Sequence, residues 1–318
     1  MYDYLNIRTN PIRAVLLQLL RDKTTGRNIV WGTDSYAGLN QACQANAEIT
    51  EDALLTLDAF ELQPRCMKAK EEQLFRTRSK AEVFTPSWIC NQMNNVCDAD
   101  WFGVKVVFNM EDGQTWINVT NPVEFPEGKD WKQYVDSRRL EITCGEAPFI
   151  ASRYDTSTGD LIPIPMRIGI LDRKLRVVKE NVHTPEEWYT WARHAVESVY
   201  GYEYQGDNLL IARINVLMTW VEHSRLYLNE EPDESEFRKI VNVVSWNFWQ
   251  MDGLTGMVPF AMIEAGVKET EQLSFLGMFF NEEPPPEKEM VPTPCKIFDW
   301  RKRTPLLYND IRKGATKP

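Results

Sequence analysis

Long apolar runs are the first thing this chain lacks. The nearest approach, in the N-terminal MYDYLNIRTNPIRAVLLQLL, is too short to span a bilayer, and charges interrupt it before a secretory pattern can develop. No membrane or export role is expected. Close cysteine pairs are missing as well. Cys43, Cys66, Cys90, Cys97, Cys144 and Cys295 show neither the tight spacing of a zinc site nor the density of a disulfide scaffold. No metal site is expected, and a reducing cytoplasm is the expected setting. Positive charge is the third shortage. Lys and Arg number 36 against 46 Asp and Glu, a net charge of −10, which counts against a protein that grips a long duplex through its phosphates. Basic stretches at 76–80 (RTRSK), at 173–176 (RKLR) and in the tail from 301 to 317 each read as a solvated face. Together they keep a nucleic-acid surface open.

With 318 residues and 43% hydrophobic content, the chain can bury one large core or two modest ones. The pattern predicts an α/β architecture: a helical N-terminal region over 1–80, then a main α/β domain over 81–318. An acidic, proline-rich loop is expected near 281–290 within a solvated stretch beginning at 266. Ile12, Val15, Leu16, Leu19 and Leu20 share one face of a helix predicted over 11–21, and further helices are expected between 47 and 78. Trp31 and Tyr36 fall in a connector whose role the pattern does not reveal. Thr85 is the candidate N-cap of a helix with Pro86 in its first turn, running on through Trp88, Ile89 and Met93. VKVVF and TWINVT, separated by a turn at 111–114, predict a hairpin. A short helix is expected at 131–136 and a loop at 153–165. Residues 167–178 could be strand or helix, with Asp172 in an inserted element. Helices are expected at 186–198, 208–226 and 234–246, and strands near 138–144, 199–203, 244–251 and 294–299.

The stretch over which this order is organised is Arg138-Arg139-Leu140-Glu141-Ile142-Thr143-Cys144-Gly145-Glu146-Ala147-Pro148-Phe149-Ile150. It reads as a strand, a glycine-containing turn and a following helix, a geometry that brings backbone N–H groups close to a ligand. An acid such as Glu141 suits a ligand carrying an amine and ribose hydroxyls, S-adenosylmethionine more naturally than NAD. Glu203 ends the second strand, where an acid can accept from ribose hydroxyls, and Tyr204 follows in position to cover the adenine face. Asp252 ends the third strand.

These segments, in this order, resemble the DNA adenine-N6 methyltransferases, and the whole-chain pattern resembles the methylation subunits of restriction-modification systems. Glu141, Cys144, Gly145 and Phe149 match the family's acid-x-x-small-Gly motif and the Phe that follows it. Glu82-Val83-Phe84-Thr85-Pro86 is similar to the upstream segment that packs on the methionine end of the cofactor. Tyr200-Gly201-Tyr202-Glu203, leading into Asn208–Asn215 (NLLIARIN), is similar to the second motif, and Asp252 with Leu254 matches the third.

The resemblance implies a Rossmann-like S-adenosylmethionine-dependent methyltransferase sheet, with Asp252 facing the exocyclic amine of adenine. It also implies direct methyl transfer to an adenine amine of DNA, without a cysteine nucleophile. One departure is plain. The Asn/Asp-Pro-Pro-Tyr/Phe tetrapeptide of the family is nowhere in the chain, and Asp299-Trp300 is the only acid-plus-aromatic pair at the expected place. Two expectations follow: a DNA-modifying enzyme with Asp299 and Trp300 as an abbreviated catalytic pair, or an inactive cofactor-binding or interaction subunit. The second would need a partner chain, or a second copy of itself, for recognition and catalysis.

Overall fold

The structure, a computed structural model, describes residues 7–39, 41–56, 63–68, 70–80, 85–264 and 289–315. Along the chain run α1 (Leu16–Leu20), α2 (Glu51–Thr56), α3 (Lys70–Lys80) and α4 (Ser87–Phe102), then the hairpin β1 (Asn109–Asp112) and β2 (Thr115–Asn118). Next come α5 (Trp131–Val135), β3 (Arg139–Glu141), α6 (Ile170–Asn181), α7 (Pro185–Glu197), β4 (Val199–Glu203), α8 (Gly206–Leu228), α9 (Glu234–Asn247) and β5 (Phe248–Gln250). Strands β6 (Met257–Glu264), β7 (Met290–Pro294), β8 (Lys296–Asp299) and β9 (Thr304–Leu307) precede α10 (Tyr308–Ala315).

The protein is a mixed α/β structure in which β3, β4 and β5 form a parallel three-stranded sheet in that order, while β1–β2, β6–β7 and β8–β9 are separate antiparallel pairs. Parallel neighbours need crossover connections; α6 and α7 supply the first, α8 and α9 the second. Side chains alternate across the sheet, as the two-residue strand period requires. Val199 and Phe248 enter the large helical core, whereas Tyr200, Tyr202, Trp249 and Met251 enter a smaller core under the C-terminal hairpins. Gly201 lies on the helical face, and a β-carbon there would sit 2.8 Å from the Phe248 ring across the register and 3.0 Å from Cys144 Sγ. Only glycine fits.

Local signals explain the helix starts. The Thr184 hydroxyl accepts from the Glu187 N–H with Pro185 in the first turn of α7, and Asp233 caps Ser235 and Glu236 at the start of α9. Trp188 of α7 and Trp220 of α8 pack with ring centroids 5.7 Å apart, both fully buried. Truncating either to Ala would cost about 3–5 kcal/mol. The predicted apolar stripe Ile12, Val15, Leu16, Leu19 and Leu20 is buried in the same core as α8, so the N-terminal segment shares the main hydrophobic interior. No helix among the described residues is long and apolar enough to cross a membrane.

Several predicted elements shift. The strand expected over 138–144 is only Arg139–Glu141, and consecutive turns follow it, with Thr143, Gly145 and Ala147 at positive φ; after a single 3-10 turn at Ile164–Met166, the next α-helix begins at Ile170. The predicted hairpin forms one turn later in its first arm: 104–108 is not strand, and Asn109–Asp112 pairs with Thr115–Asn118 around Gly113. The expected third strand shortens to Phe248–Gln250 because α9 runs to Asn247. Residues 170–181 of the ambiguous stretch are helix α6, where Asp172 bonds His223 of α8 at 3.0 Å and Ser152 N at 3.1 Å. The expected fourth strand exists as β8, but it pairs antiparallel with β9 and does not extend the parallel sheet.

Candidate cofactor site at the carboxyl ends of the parallel strands

At the carboxyl ends of β3 and β4 the structure brings together Glu141, Cys144, Gly145 and Glu203. Glu141 Oε1 accepts a long bond from Phe149 N at 3.4 Å, while its Oε2 is enclosed and has no hydrogen-bond partner among the described residues. Burial pushes the Glu141 carboxyl well above the ordinary carboxylate range, against the Phe149 and Ile150 N–H groups that favour its charge, and nearby Glu203 pushes the same way. Cys144 lies between them. Burial, then Glu141 and Glu203, raise its thiol well above normal, so it is a neutral packing group at neutral pH.

Glu203 is engaged by backbone. Its Oε2 accepts from Gly145 N at 2.9 Å, and its Oε1 accepts from Tyr204 N at 2.9 Å and Gln205 N at 3.1 Å. These contacts tie the turn after β3 to the end of β4. A carboxylate offers about four acceptor positions, so a ribose would find at most one left. Burial nevertheless raises its carboxyl above the normal value, because charge is costly in that interior. Tyr204 is 37% exposed, with its ring 6.5 Å from the exposed Phe260.

The helix that follows Thr85 and Pro86 reaches the same end of the sheet: Asn94 of α4 donates to Phe149 O at 2.9 Å, and Glu141 influences the Cys90 thiol. Pro86, not Thr85, occupies the N-cap. No cap side chain bonds there, and the Ser87 N–H is taken instead by Asp155 from the loop at 2.8 Å. Thr85 contributes its carbonyl, which accepts from Thr156 Oγ1 at 2.9 Å. Glu82, Val83 and Phe84 lie outside the described residues, as does the acidic 281–288 stretch.

Asp252 and Leu254 do not join this cluster. Asp252 Oδ1 caps its own turn, accepting from Leu254 N at 2.8 Å and Thr255 N at 3.4 Å, and Leu254 is 87% exposed. The Asp252 charge is felt by Tyr204 and Cys295, on the hairpin side of the sheet. Asp299 and Trp300 are at the opposite end. Asp299 Oδ1 receives Arg138 at 3.2 Å and also Arg301 N and Lys302 N, and Trp300 donates its indole N–H to Asn247 Oδ1 at 2.7 Å. Arg138 and Asn247 immediately precede β3 and β5, so both contacts mark the amino ends of the strands.

Sequence reasoning missed what covers the carboxyl ends of β4 and β5. The Gln250 side chain bonds both the Val30 N–H and the Val30 carbonyl at 2.8 Å, acting as a mock strand partner for the N-terminal connector. Gly206 N donates to Trp31 O at 2.8 Å, and a β-carbon on Gly206 would stand 2.0 Å from Val30 O. Tyr36 and Arg76 both reach Asp207 Oδ2, at 2.8 and 2.9 Å, with Lys68 3.7 Å away, in a buried network at the start of α8. These contacts fasten the connector over the strand ends, through neutral hydrogen bonds at Val30 and Trp31 and through Tyr36 to the Asp207 carboxylate. Glu146, beside Gly145, was also missed; it is buried and holds Arg65 N at 2.7 Å and the Tyr154 hydroxyl at 2.5 Å. Its only signal was a second acid in the same turn. Among the described residues no group of three or more His, Cys, Asp or Glu is placed to hold a metal ion. No family model, curated protein or solved structure matches this chain.

Proposed function

We propose that this chain is a DNA adenine-N6 methyltransferase-like protein that binds S-adenosylmethionine at the carboxyl ends of β3 and β4, in a Rossmann-like arrangement, within a restriction-modification or similar DNA-modification system. The observation that carries the proposal is the enclosed Oε2 of Glu141, which has no hydrogen-bond partner among the described residues. A buried acceptor without a donor is costly unless something supplies one, and the ammonium of a methionine moiety is such a donor. The strand order supports the same reading. The segments that resemble the family's first two motifs begin on the adjacent parallel strands β3 and β4, the one that resembles the third follows the neighbouring β5, and the Thr85-Pro86 segment opens the helix that reaches Phe149.

The residues fit the amine end of the ligand better than the ribose end. Glu141 has an acceptor to offer; Glu203 is largely committed to backbone N–H groups, and Tyr204 with Phe260 supplies aromatic surface beside it. When bound, the cofactor would bring a sulfonium-activated methyl group. The chain's own residues hold the amine, exclude water around Cys144, and fix the turn through Glu203.

The position of Asp299 and Trp300 at the amino ends of the strands favours the second expectation, that catalysis and recognition of DNA are completed by a partner chain. Titration calorimetry with S-adenosylmethionine tests the cofactor reading. Replacing Glu141 by Gln keeps the shape and removes a charge-assisted bond of about 1.5–3 kcal/mol, so affinity should fall about 10- to 100-fold. Heat release unchanged in that variant would refute the placement, as would no binding by the unaltered protein.

A further inference from the structure

Helices α7 and α9 and the β8–β9 hairpin enclose a groove of about 620 Å³ at the other end of the sheet. Phe298 and Trp300 line it, with ring centroids 4.5 Å apart. The bond from Trp300 to Asn247 holds the indole in place, and Phe298 is braced by Trp246 at 5.2 Å. Around these rings stand Arg193, Arg238, Lys239 and Arg303, and the turn over 301–303 reads Arg-Lys-Arg. Such a concentration of cations is out of keeping with a chain whose net charge is −10.

Three of these cations have carboxylate neighbours. Arg238 pairs with Glu234 at 2.8 Å where both side chains are more than half exposed, and Lys239 pairs with Glu236 at 2.7 Å. The exposed Arg238–Glu234 pair contributes about 0–1 kcal/mol, so a phosphate can replace that carboxylate at little cost. Glu236, 19% exposed, is shared between Lys239 and Arg193 at 3.4 Å, and Arg193 also lies 3.6 Å from Glu197. Arg303 makes no ion pair within 4 Å among the described residues. Glu197 is the one carboxylate lining the groove among the described residues, and burial, partly offset by Arg193, pushes it up to about 7, so near neutrality it carries only part of a charge.

We propose that this groove binds a single-stranded segment of nucleic acid, with phosphates on Arg193, Arg238, Lys239 and Arg303 and an unpaired base against Phe298 and Trp300. Cations following a backbone beside fixed aromatic rings are the combination that single-strand binding uses, since every base has a face to stack. An acidic peptide would satisfy the cations and leave the rings without a partner. A duplex keeps its base faces inside the stack. The inference gives Trp300 a role in binding, and it does not rest on the cofactor reading.

Fluorescence anisotropy with a labelled single strand of about 12 nucleotides, within the usual site sizes, tests it. Three proteins are compared: the unaltered chain, Arg238→Glu/Arg303→Glu, and Arg78→Glu/Lys105→Glu. The last pair makes the same change in net charge at exposed residues away from the groove. The groove variant should bind at least tenfold more weakly, and its salt slope should fall by about 0.7 for each phosphate it no longer neutralises, while the control stays near the unaltered protein. Lys239→Gln, which only removes a charge, should act in the same direction. Binding should also quench tryptophan emission, and Trp300→Phe should remove that quenching.

Equal weakening in the control, tighter binding of the duplex of the same sequence, or no binding by the unaltered protein would each overturn the proposal. Calorimetry with S-adenosylmethionine on the groove variant should give the unaltered affinity, so failure of one reading is visible without the other.

Discussion

Replacing Glu203 by Gln separates a structural strut from a ligand-binding acid. Glutamine keeps the length and shape of the side chain but puts an NH2 where one carboxylate oxygen stood. The groups that carboxylate holds, at Gly145, Tyr204 and Gln205, are all N–H donors. Whichever way the amide turns, a donor faces a donor. The loss of one bond to a charged acceptor is about 1.5–3 kcal/mol, and the stranded N–H adds to it. Relief from burying a charge works in the opposite direction, so the net loss should be about 2–3 kcal/mol, read as a lower urea midpoint at unchanged slope.

The pH dependence gives a second readout. The folded-state pKa of Glu203 is raised, chiefly by burial. Its contribution to stability is therefore fully present below its ordinary value of 4.5 and is lost as pH rises through the folded value. Glutamine cannot titrate, so the advantage of the unaltered protein should be widest at acid pH and narrow as pH rises. A variant within about 0.5 kcal/mol of the unaltered protein, as for a featureless surface change, would refute the strut and free Glu203 for a ligand.

Three further outcomes are expected. Arg76→Met leaves the fully buried Asp207 without its closest cation and should cost about 3–5 kcal/mol; adding Asp207→Asn should recover part of that, and strictly additive losses in a double-mutant cycle would contradict the pairing. Gly206→Ala drives a β-carbon onto Val30 O and should cost at least about 1–3 kcal/mol, whereas Gly38→Ala, which meets open space, should leave the thermal midpoint nearly unchanged. Glu197 contributes stability below its ordinary 4.5 that is lost as pH climbs to about 7. Glu197→Gln should flatten that loss by about 1–2 kcal/mol once partial exposure is allowed for. The comparison belongs in a His194→Asn background, because His194, lowered chiefly by burial, loses stability in the opposite direction, as pH falls. An unchanged pH profile would remove Glu197 as its source.

The mixed α/β class and the order of the three strand ends were legible because they rest on short-range patterns: β-prone runs, acids at or just past the strand ends, and apolar residues at helical spacing, as in the helix expected at 186–198. The apolar stripe from Ile12 to Leu20 was legible for the same reason. What escaped depends on pairings distant in sequence. Gln250 pairs with Val30 across 220 residues and Asp207 with Arg76 across 131, and no periodicity announces either. Strand length escaped too, since β-branched and aromatic residues continue the α9 helix as readily as they would begin β5. Asp299-Trp300 was found by its place in the order of segments, but order along the chain does not say at which end of a sheet a strand finishes. The direction of β8, antiparallel to β9 and ending beside Asn247, decided that.

Hydrogen exchange with and without S-adenosylmethionine tests the central claim most directly. Slower exchange is expected in the amides of 142–150, in the first turn of α4 and at Tyr204–Gln205, with the 298–303 hairpin unchanged. Protection confined to that hairpin, or no protection anywhere at saturating cofactor, would contradict a site at the carboxyl ends of β3 and β4.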